Sequence, residues 1–305
     1  MKLIPIKILL FILTVTIISC EDRIYPTLKD ANPTIVIDAW INNKPVEQVI
    51  QITESRPYFD NNLAVGVIGA LVTITDNNGI TYSFNDTGNG SYKWTPGVGE
   101  SFGEIGNDYT LEVDYDGKLY QAFSSMNRVP VVDSISFRFE EKDFVFPDSY
   151  FAEFWSRDLV GSGDTYWIKT YKNGNYLNKP AEINIAFDAG FSEGGNIDGL
   201  IFIPPIRDAI NPIDEDNNDN FLSPYSDGDS IYVEIHSIPK DAFLFLNEMA
   251  LQIDRPGGFG ELFATPLSNV PTNIIAPADE EALGFFTVSA VNGNGRKLDI
   301  REIPK

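Results

Sequence analysis

The sequence predicts a mainly β protein: an antiparallel β-sandwich followed by a second β-rich domain with one substantial α-helix. Three observations lead to this prediction. Short stretches alternate apolar and polar residues, as strands with one buried face do. Turn residues, above all Asn-Gly and Asp-Gly pairs, separate these stretches. Apolar residues follow a helical period over one long stretch only, residues 240–253.

Residues 1–19 have the organisation of a secretory signal peptide. Lys2 and Lys7 supply positive charge, and an apolar run follows over residues 8–18. This run is shorter than the roughly 20 apolar residues that a membrane-spanning helix needs. Cys20 follows Ser19 and is the only cysteine, so it cannot form an internal disulfide. The pattern predicts a bacterial lipoprotein signal, with the Cys20 thiol acylated; the alternative is an ordinary signal peptide with an incidental cysteine.

A polar spacer, residues 20–33, then leads to the predicted sandwich domain, residues 34–126. The spacer carries Pro26 and Pro33 and shows no sustained periodicity. Asn78-Gly79 and Asp116-Gly117 predict tight hairpin turns because these residue types tolerate positive φ. The alternating stretches predict seven strands, at residues 34–41, 46–53, 66–75, 80–84, 91–95, 109–115 and 118–124.

The order of these strands resembles the prealbumin-like or carboxypeptidase-regulatory β-domains, and we expect an immunoglobulin-like or prealbumin-like sandwich. Such domains show an alternating strand, a glycine turn and a later Gly-x-Tyr strand. Here those features are residues 70–76 and the sequence Gly90-Ser91-Tyr92. The resemblance implies a scaffold and no catalytic residues.

The second predicted domain covers residues 130–305, after the boundary sequence Asn127-Arg128-Val129-Pro130. Strands are expected at residues 132–140, 164–171, 182–187 and 283–291, with a turn at 172–175. Residues 188–230 are rich in Gly, Pro, Asn and Asp, and connections of this length are usually functional or mobile. We therefore expect a contact surface there. The helix over residues 240–253 begins after Pro239, and off-stripe apolar residues predict burial on more than one side.

Composition excludes several functions. The 305 residues include 22 Lys and Arg against 44 Asp and Glu, a net charge of −22, which disfavours nucleic acid as a partner. His236 is the only histidine, and no serine lies in a Gly-x-Ser-x-Gly context, so no Ser-His-Asp machinery is expected. His236 shares a strand face with Tyr232 and Glu234, which favours an ordinary strand-face histidine. We expect no catalytic residues, no cofactor and no resident metal.

One acidic run keeps a metal alternative open. Asp214, Asp216 and Asn218 have the alternate spacing of a calcium loop. The glycine and the distal glutamate of an EF-hand loop are missing, which favours a solvated acidic loop over residues 214–219.

Nearly the whole mature chain resembles one family. Its features are the Cys20 signal, the strand Ile35-Val36-Ile37-Asp38-Ala39-Trp40-Ile41, and the final strand Leu283-Gly284-Phe285-Phe286-Thr287-Val288-Ser289-Ala290-Val291. One departure is Phe243, because this family commonly has a tyrosine at the corresponding position of its helix. These features are similar to the domain-of-unknown-function 4249 (DUF4249) family of Bacteroidetes outer-membrane lipoproteins. Glu21 and Asp22 resemble the acidic signal that sends such lipoproteins to the cell surface.

The resemblance implies a surface-exposed, non-enzymatic lipoprotein of the outer membrane. It implies membrane attachment through the lipid on Cys20 and a TonB-dependent outer-membrane β-barrel as partner, in nutrient capture or uptake. The alternative is a free-standing surface adhesin or glycan-binding module. The sequence does not name the ligand.

Overall fold

A computed structural model describes residues 32–57, 60, 62–195, 197–255, 258–264 and 268–304. The contacts divide the chain into two units. The larger unit, Pro33–Arg56 and Asp60–Lys305, holds every secondary-structure element described below. The signal peptide and Cys20, Glu21 and Asp22 lie outside the described residues. In the described part, no helix is long and apolar enough to cross a membrane.

The fold is mainly β, as predicted. Two α-helices accompany the strands: α1 is Pro204–Asp208 and α2 is Lys240–Ile253. Short 3-10 helices cover Pro180–Glu182, Gly258–Phe263 and Ile300–Glu302. The strands are β1 Ile35–Asn42, β2 Gln48–Glu54, β3 Val65–Gly66, β4 Leu71–Asp76, β5 Thr81–Asp86, β6 Ser91–Trp94, β7 Asp108–Tyr115, β8 Lys118–Ser125, β9 Val132–Glu140, β10 Ser149–Ser156, β11 Thr165–Lys172, β12 Asn175–Tyr176, β13 Asn184–Phe187, β14 Ser230–Ile238 and β15 Ala282–Lys297.

Thirteen of the strands form one mixed sheet. Its main path runs β12-β11-β14-β15-β1-β2-β6-β5-β4-β7-β8, with β13 beside β11 and β3 beside β2. Strands β9 and β10 pair separately as a two-stranded hairpin. The predicted boundary between two domains, near residues 127–130, stays a prediction, and strands from both sides of it pair in the main sheet.

The hairpin turns form where Asn-Gly and Asp-Gly predict them. Asp116 and Gly117 both have positive φ, 51° and 72°, as a tight turn between antiparallel strands requires. In the β4–β5 turn the Asp76 carboxylate accepts hydrogen bonds from the backbone N–H groups of Asn78 (2.9 Å) and Ile80 (2.8 Å). Local residue chemistry therefore fixes both reversals of the chain.

The prediction of a single strand over residues 66–75 is wrong, because this stretch is divided between β3 and β4. The buried Tyr92 hydroxyl accepts a hydrogen bond from the Ala70 N–H (3.0 Å) and donates one to the Val67 carbonyl (3.0 Å). These bonds hold the intervening residues out of the ladder. Buried polar groups require partners, and the interruption supplies them to the phenol.

Strand β15 occupies the centre of the main sheet. Its first half pairs in parallel with β1, from Ile35↔Ala282 to Asn42↔Ser289. Its second half pairs antiparallel with β14, from Ser237↔Ala290 to Ser230↔Lys297. Both faces are covered over its apolar middle, which explains why residues 285–291 are almost continuously apolar.

Two larger cores lie along the main sheet. The first joins residues of β1, β2 and β15 to residues of β4, β7 and β8 in one hydrophobic cluster, with Ile37, Ile52, Ile74 and Leu111 fully or almost fully buried. The second lies between β11 and β14 on one side and the β9–β10 hairpin and α1 on the other. Alternation places one face of strands such as β1, β2 and β7 in a core, as the sequence pattern predicts.

The predicted helix over residues 240–253 is confirmed as α2. Ala242 and Leu246, on the predicted stripe, are buried in a third cluster with Phe285 of β15. Phe243 is buried off the stripe, as expected, but Leu244 and Leu251 are exposed. Strand β10 is an element that the sequence analysis did not predict.

We predict that a side chain at Gly284 would disrupt the β1–β15 pairing. Gly284 has a φ of +93°, and an added Cβ would lie 2.0 Å from the Ile37 carbonyl oxygen. The conformation alone should cost Gly284→Ala roughly 1–2 kcal/mol, and the clash adds to it. Urea unfolding of the purified protein measures the loss.

Gly79→Ala is the matched control. Gly79 also has a positive φ, +84°, but an added Cβ there meets nothing within 4 Å. We expect Gly284→Ala to lose at least twice the stability of the control. Equal losses would show that the close approach of β15 to β1 is unimportant.

Candidate functional site

The predicted acidic loop does not bring its side chains to one point. Asp216 accepts hydrogen bonds from the backbone N–H groups of Asn218 (2.8 Å) and Asn220 (3.0 Å), which lower the pKa of its carboxyl. Asp214 forms an ion pair with Lys179 instead. The first two carboxylates of the predicted calcium loop therefore already have partners within the protein.

A different set of carboxylates lies close together. Ligand oxygens of Asp158, Asp188 and Asp198 are all within 4.8 Å of one another, and this geometry could hold a cation. Protein donors already serve the three groups: the Tyr166 hydroxyl donates to Asp158 (2.6 Å), and backbone N–H groups of the 161–164 turn donate to Asp188 and Asp198. These donors offset the mutual repulsion of the carboxylates without a metal.

The irregular segment predicted to form a contact surface, residues 188–230, packs against the β9–β10 hairpin. Asn211 makes two side-chain hydrogen bonds to the backbone of Ala152. Its side-chain oxygen accepts from the Ala152 N–H (2.7 Å), and its side-chain NH2 donates to the Ala152 carbonyl (2.8 Å). Ser223 accepts a further bond from the Tyr150 N–H (3.0 Å). These bonds replace a neighbouring strand along the edge of β10, so the segment is held firmly in place.

A cavity of about 300 Å³ lies between this segment and the hairpin. We call it the hairpin cavity. Phe146 and Phe151 form one wall, with their rings perpendicular at 5.3 Å between centroids. Arg138 lies over Phe151 and pairs with Asp208 of α1 (3.0 Å), which joins the wall to the segment. The rest of the lining comes from Lys179, Ala181, Glu182, Ala209, Asn211, Pro212, Ile213 and Pro224. Its size and its apolar lining with few polar groups are typical of a ligand pocket.

Exposed apolar side chains lie on the two loops that border the hairpin cavity. Phe144, at the turn of the β9–β10 hairpin, is fully exposed, and Val145 is half exposed. Ile213 and Leu222 of the irregular segment are similarly exposed. We call these four residues the hairpin-tip surface. Phe146 and Phe221, whose ring centroids lie 5.1 Å apart, join the two loops that carry it.

A polar network lies on the face of the main sheet that α2 covers. Glu234 and His236 of β14 are almost completely buried, and the His236 Nε2 lies 3.1 Å from a Glu234 carboxylate oxygen. Lys44 forms an ion pair with the other oxygen of Glu234. Because a carboxylate can only accept, Nε2 carries the proton of the neutral imidazole, and Nδ1 faces the Ser289 hydroxyl at 3.2 Å.

Burial and hydrogen bonding shift the pKa values of this pair. Burial lowers the pKa of His236 to about 4, helped by the neighbouring cation Lys169. Hydrogen bonds and charges from His236 and Lys44 outweigh burial and hold the pKa of Glu234 at about 2. At neutral pH the network therefore contains an ionised carboxylate, its lysine counter-ion and a neutral histidine. The expectation of a strand-face histidine beside Glu234 is confirmed.

Comparison with protein-family models identifies the family to which this chain belongs. Residues 21–293 match the model of a domain of unknown function, DUF4249. The chain belongs to the DUF4249 family. No curated protein matches it. For this DUF4249 protein, functional residues must therefore be sought in the structure itself.

Local sequence patterns in the DUF4249 chain did not indicate the carboxylate group or the hairpin cavity. Asp158, Asp188 and Asp198 are brought together by loops that no local pattern connects. One signal was present in β11, where Trp167, Lys169 and Tyr171 alternate with the buried residues Tyr166, Ile168 and Thr170. Such alternation places a cation between two aromatic residues on one strand face.

We predict that the buried His236 makes stability dependent on pH between about 4 and 6.5. The folded pKa is lowered, so the unfolded chain binds more protons in this range, and stability falls as pH falls from 6.5 towards 4. Lowering the pH from 6.5 to 4.5 should cost roughly 2 kcal/mol. Urea unfolding at several pH values measures this effect.

The comparison variant is His236→Gln, whose amide retains one donor and one acceptor. Its stability should change less with pH over the same range, because glutamine does not titrate. The difference between the two proteins removes the contribution of every shared carboxyl group except Glu234, whose pKa depends on His236. Parallel stability curves for the two proteins would contradict the assignment.

Proposed function

We propose that this DUF4249 protein is a non-enzymatic lipoprotein of the bacterial outer membrane, exposed at the cell surface. In this proposal it assists a TonB-dependent β-barrel transporter in capturing or admitting a nutrient. The leader and Cys20 support the lipid anchor. Glu21 and Asp22 support the surface location.

The observation that carries the proposal is the hairpin-tip surface beside the hairpin cavity. Large apolar side chains stabilise a fold when they are buried. The fully exposed phenylalanine at this hairpin turn therefore contributes no such burial to the stability of the fold. Adjacent exposed apolar residues on ordered loops are typical of a site of protein contact. The firmly held segment beside it supplies a defined surface, and the cavity offers space for a small ligand.

A lipid anchor restricts the choice of partner. A protein held by acyl chains meets membrane-resident proteins at high local concentration, so a modest apolar contact is sufficient for association. The net charge of −22 disfavours direct adhesion to anionic headgroups, which leaves protein as the partner of the apolar tip.

We predict that the acylated protein co-purifies with a β-barrel transporter and that Phe144→Ser reduces this recovery several-fold. The substitution removes apolar contact area without affecting the core. The measurement is gentle-detergent purification from native outer membranes, with mass spectrometry to identify and quantify what is recovered. Support requires a TonB-dependent barrel in near-stoichiometric amount.

Val98→Ser is the matched control, because Val98 is also fully exposed but belongs to a loop between β6 and β7. It should leave recovery of the barrel unchanged. Recovery of the lipoprotein alone, in a detergent that preserves known complexes, would overturn the transporter role. That result would favour the alternative, a free-standing adhesin or glycan-binding module.

The surface location is tested separately through the acidic pair. We predict that replacing Glu21 and Asp22 by Gln and Asn leaves the protein acylated but protects it from protease added to intact cells. The control replaces the exposed Asp279 and Glu281 by Asn and Gln, which makes the same change of charge elsewhere. Unchanged cleavage of the first variant would show that the pair is not an export signal.

A further inference from the structure

Lys169 occupies an unusual position in the main sheet. It lies in the middle of β11, directly opposite Glu234 of β14. Its ammonium lies 3.7 Å from the centroid of the Trp167 ring and 5.9 Å from that of Tyr176. Among the described residues, no carboxylate lies within 4.0 Å of this ammonium, and no hydrogen-bond acceptor reaches it. A partly buried lysine normally has such a partner.

The nearest suitable partner is already engaged. One oxygen of Glu234 pairs with Lys44, and the other accepts hydrogen bonds from His236 (3.1 Å) and the Tyr171 hydroxyl (3.4 Å). Lys169 is therefore left against aromatic rings, where its interaction is with π-electrons. The arrangement keeps an amine free of any ion pair that would mask it.

The surroundings favour the neutral form of this amine. Burial lowers the pKa of Lys169 to about 8, and the positive charge of Lys44 acts in the same direction. Glu234 and Asp38 oppose this shift without cancelling it. At neutral pH the Lys169 amine is then uncharged in several per cent or more of the molecules, whereas an ordinary lysine is uncharged in only a few parts in ten thousand. The titratable groups around it are those of Asp38, Lys44, Tyr171, Tyr176, Glu234 and His236.

We propose that Lys169 is a covalent binding site for small ligands that carry an aldehyde or ketone on a planar apolar group. Desolvated lysines of this kind form Schiff bases with carbonyl compounds. The Trp167 and Tyr176 rings border the amine and would contact the planar part of the ligand. The site is independent of the hairpin-tip surface and of any transporter partner.

The chemistry needs no further reactant. The nitrogen lone pair forms a bond to the carbonyl carbon, and the carbonyl oxygen takes up a proton to give a carbinolamine. Loss of the hydroxyl as water, with departure of the remaining N–H proton, leaves a carbon–nitrogen double bond. Water reverses both steps, so capture is reversible and the ligand is released unchanged.

The test uses the full chain with salicylaldehyde as a planar probe and formaldehyde as a small one. Each is supplied at limiting concentration with cyanoborohydride, which reduces the imine and fixes it on the lysine. Peptide mass spectrometry then measures occupancy at each lysine between pH 6 and 9. We expect Lys169 to react with salicylaldehyde at least about tenfold faster at pH 7 than Lys118, whose ion pair with Glu280 raises its pKa.

Two variants complete the design. Lys169→Arg keeps the positive charge and should abolish the fast phase, whereas Lys172→Arg, three residues along, should leave it intact. Reaction of Lys169 no faster than Lys118 would overturn the proposal. Fast reaction with formaldehyde but not with salicylaldehyde would show a reactive amine and overturn the planar ligand class.

Discussion

The parallel pairing of β1 with β15 is the constraint on which the rest of the structure depends. It joins residues 35–42 to residues 282–289, so nearly the whole described chain forms one closed loop between paired strands. Such a contact is entropically expensive to make and is sustained only by the apolar surface buried around it. Because β15 continues from β1 to β14, the first core and the second core share one strand. Disturbing this pairing should therefore affect both halves of the protein.

The same strands explain why polar groups can lie inside the molecule. On one face of β1 and β15, Ile37 and Phe286 enter the first core. On the other face, Trp40 and Phe285 form an aromatic layer with Trp167 and Phe245, at centroid separations of 5.0–5.9 Å from Trp40. Glu234 and His236 lie next to this layer and satisfy each other there. Lys169 lies against the same layer with no ionic partner within 4.0 Å among the described residues, and a partly buried amine with a lowered pKa is a candidate for chemistry.

The candidate contact surface has a different origin. In the part of the chain that the structure describes, neither the hairpin tip nor the irregular segment pairs regularly with the main sheet, and side-chain hydrogen bonds such as those of Asn211 hold them in place. Binding sites often lie on loops positioned by a rigid scaffold, since loops can change without loss of the core. The composition and length of residues 188–230 predicted a contact surface there, and that remains a prediction. The hairpin cavity was not predicted, because β10 was not recognised and the cavity needs that strand for one wall.

By itself the sequence determined the mainly β class, most strand positions, the Asn-Gly and Asp-Gly turns, and the bounds of α2. These features depend on interactions between residues close in the chain, such as alternation of buried side chains and the positive φ of Gly117. Only the tertiary structure decided that β15 lies between β14 and β1 and that the carboxylates of Asp158 and Asp188 lie close together. It also decided that Glu234 forms its ion pair with Lys44 and not with Lys169. These outcomes depend on which distant strands become neighbours, and the periodicity of one strand carries no information about the identity of its partner.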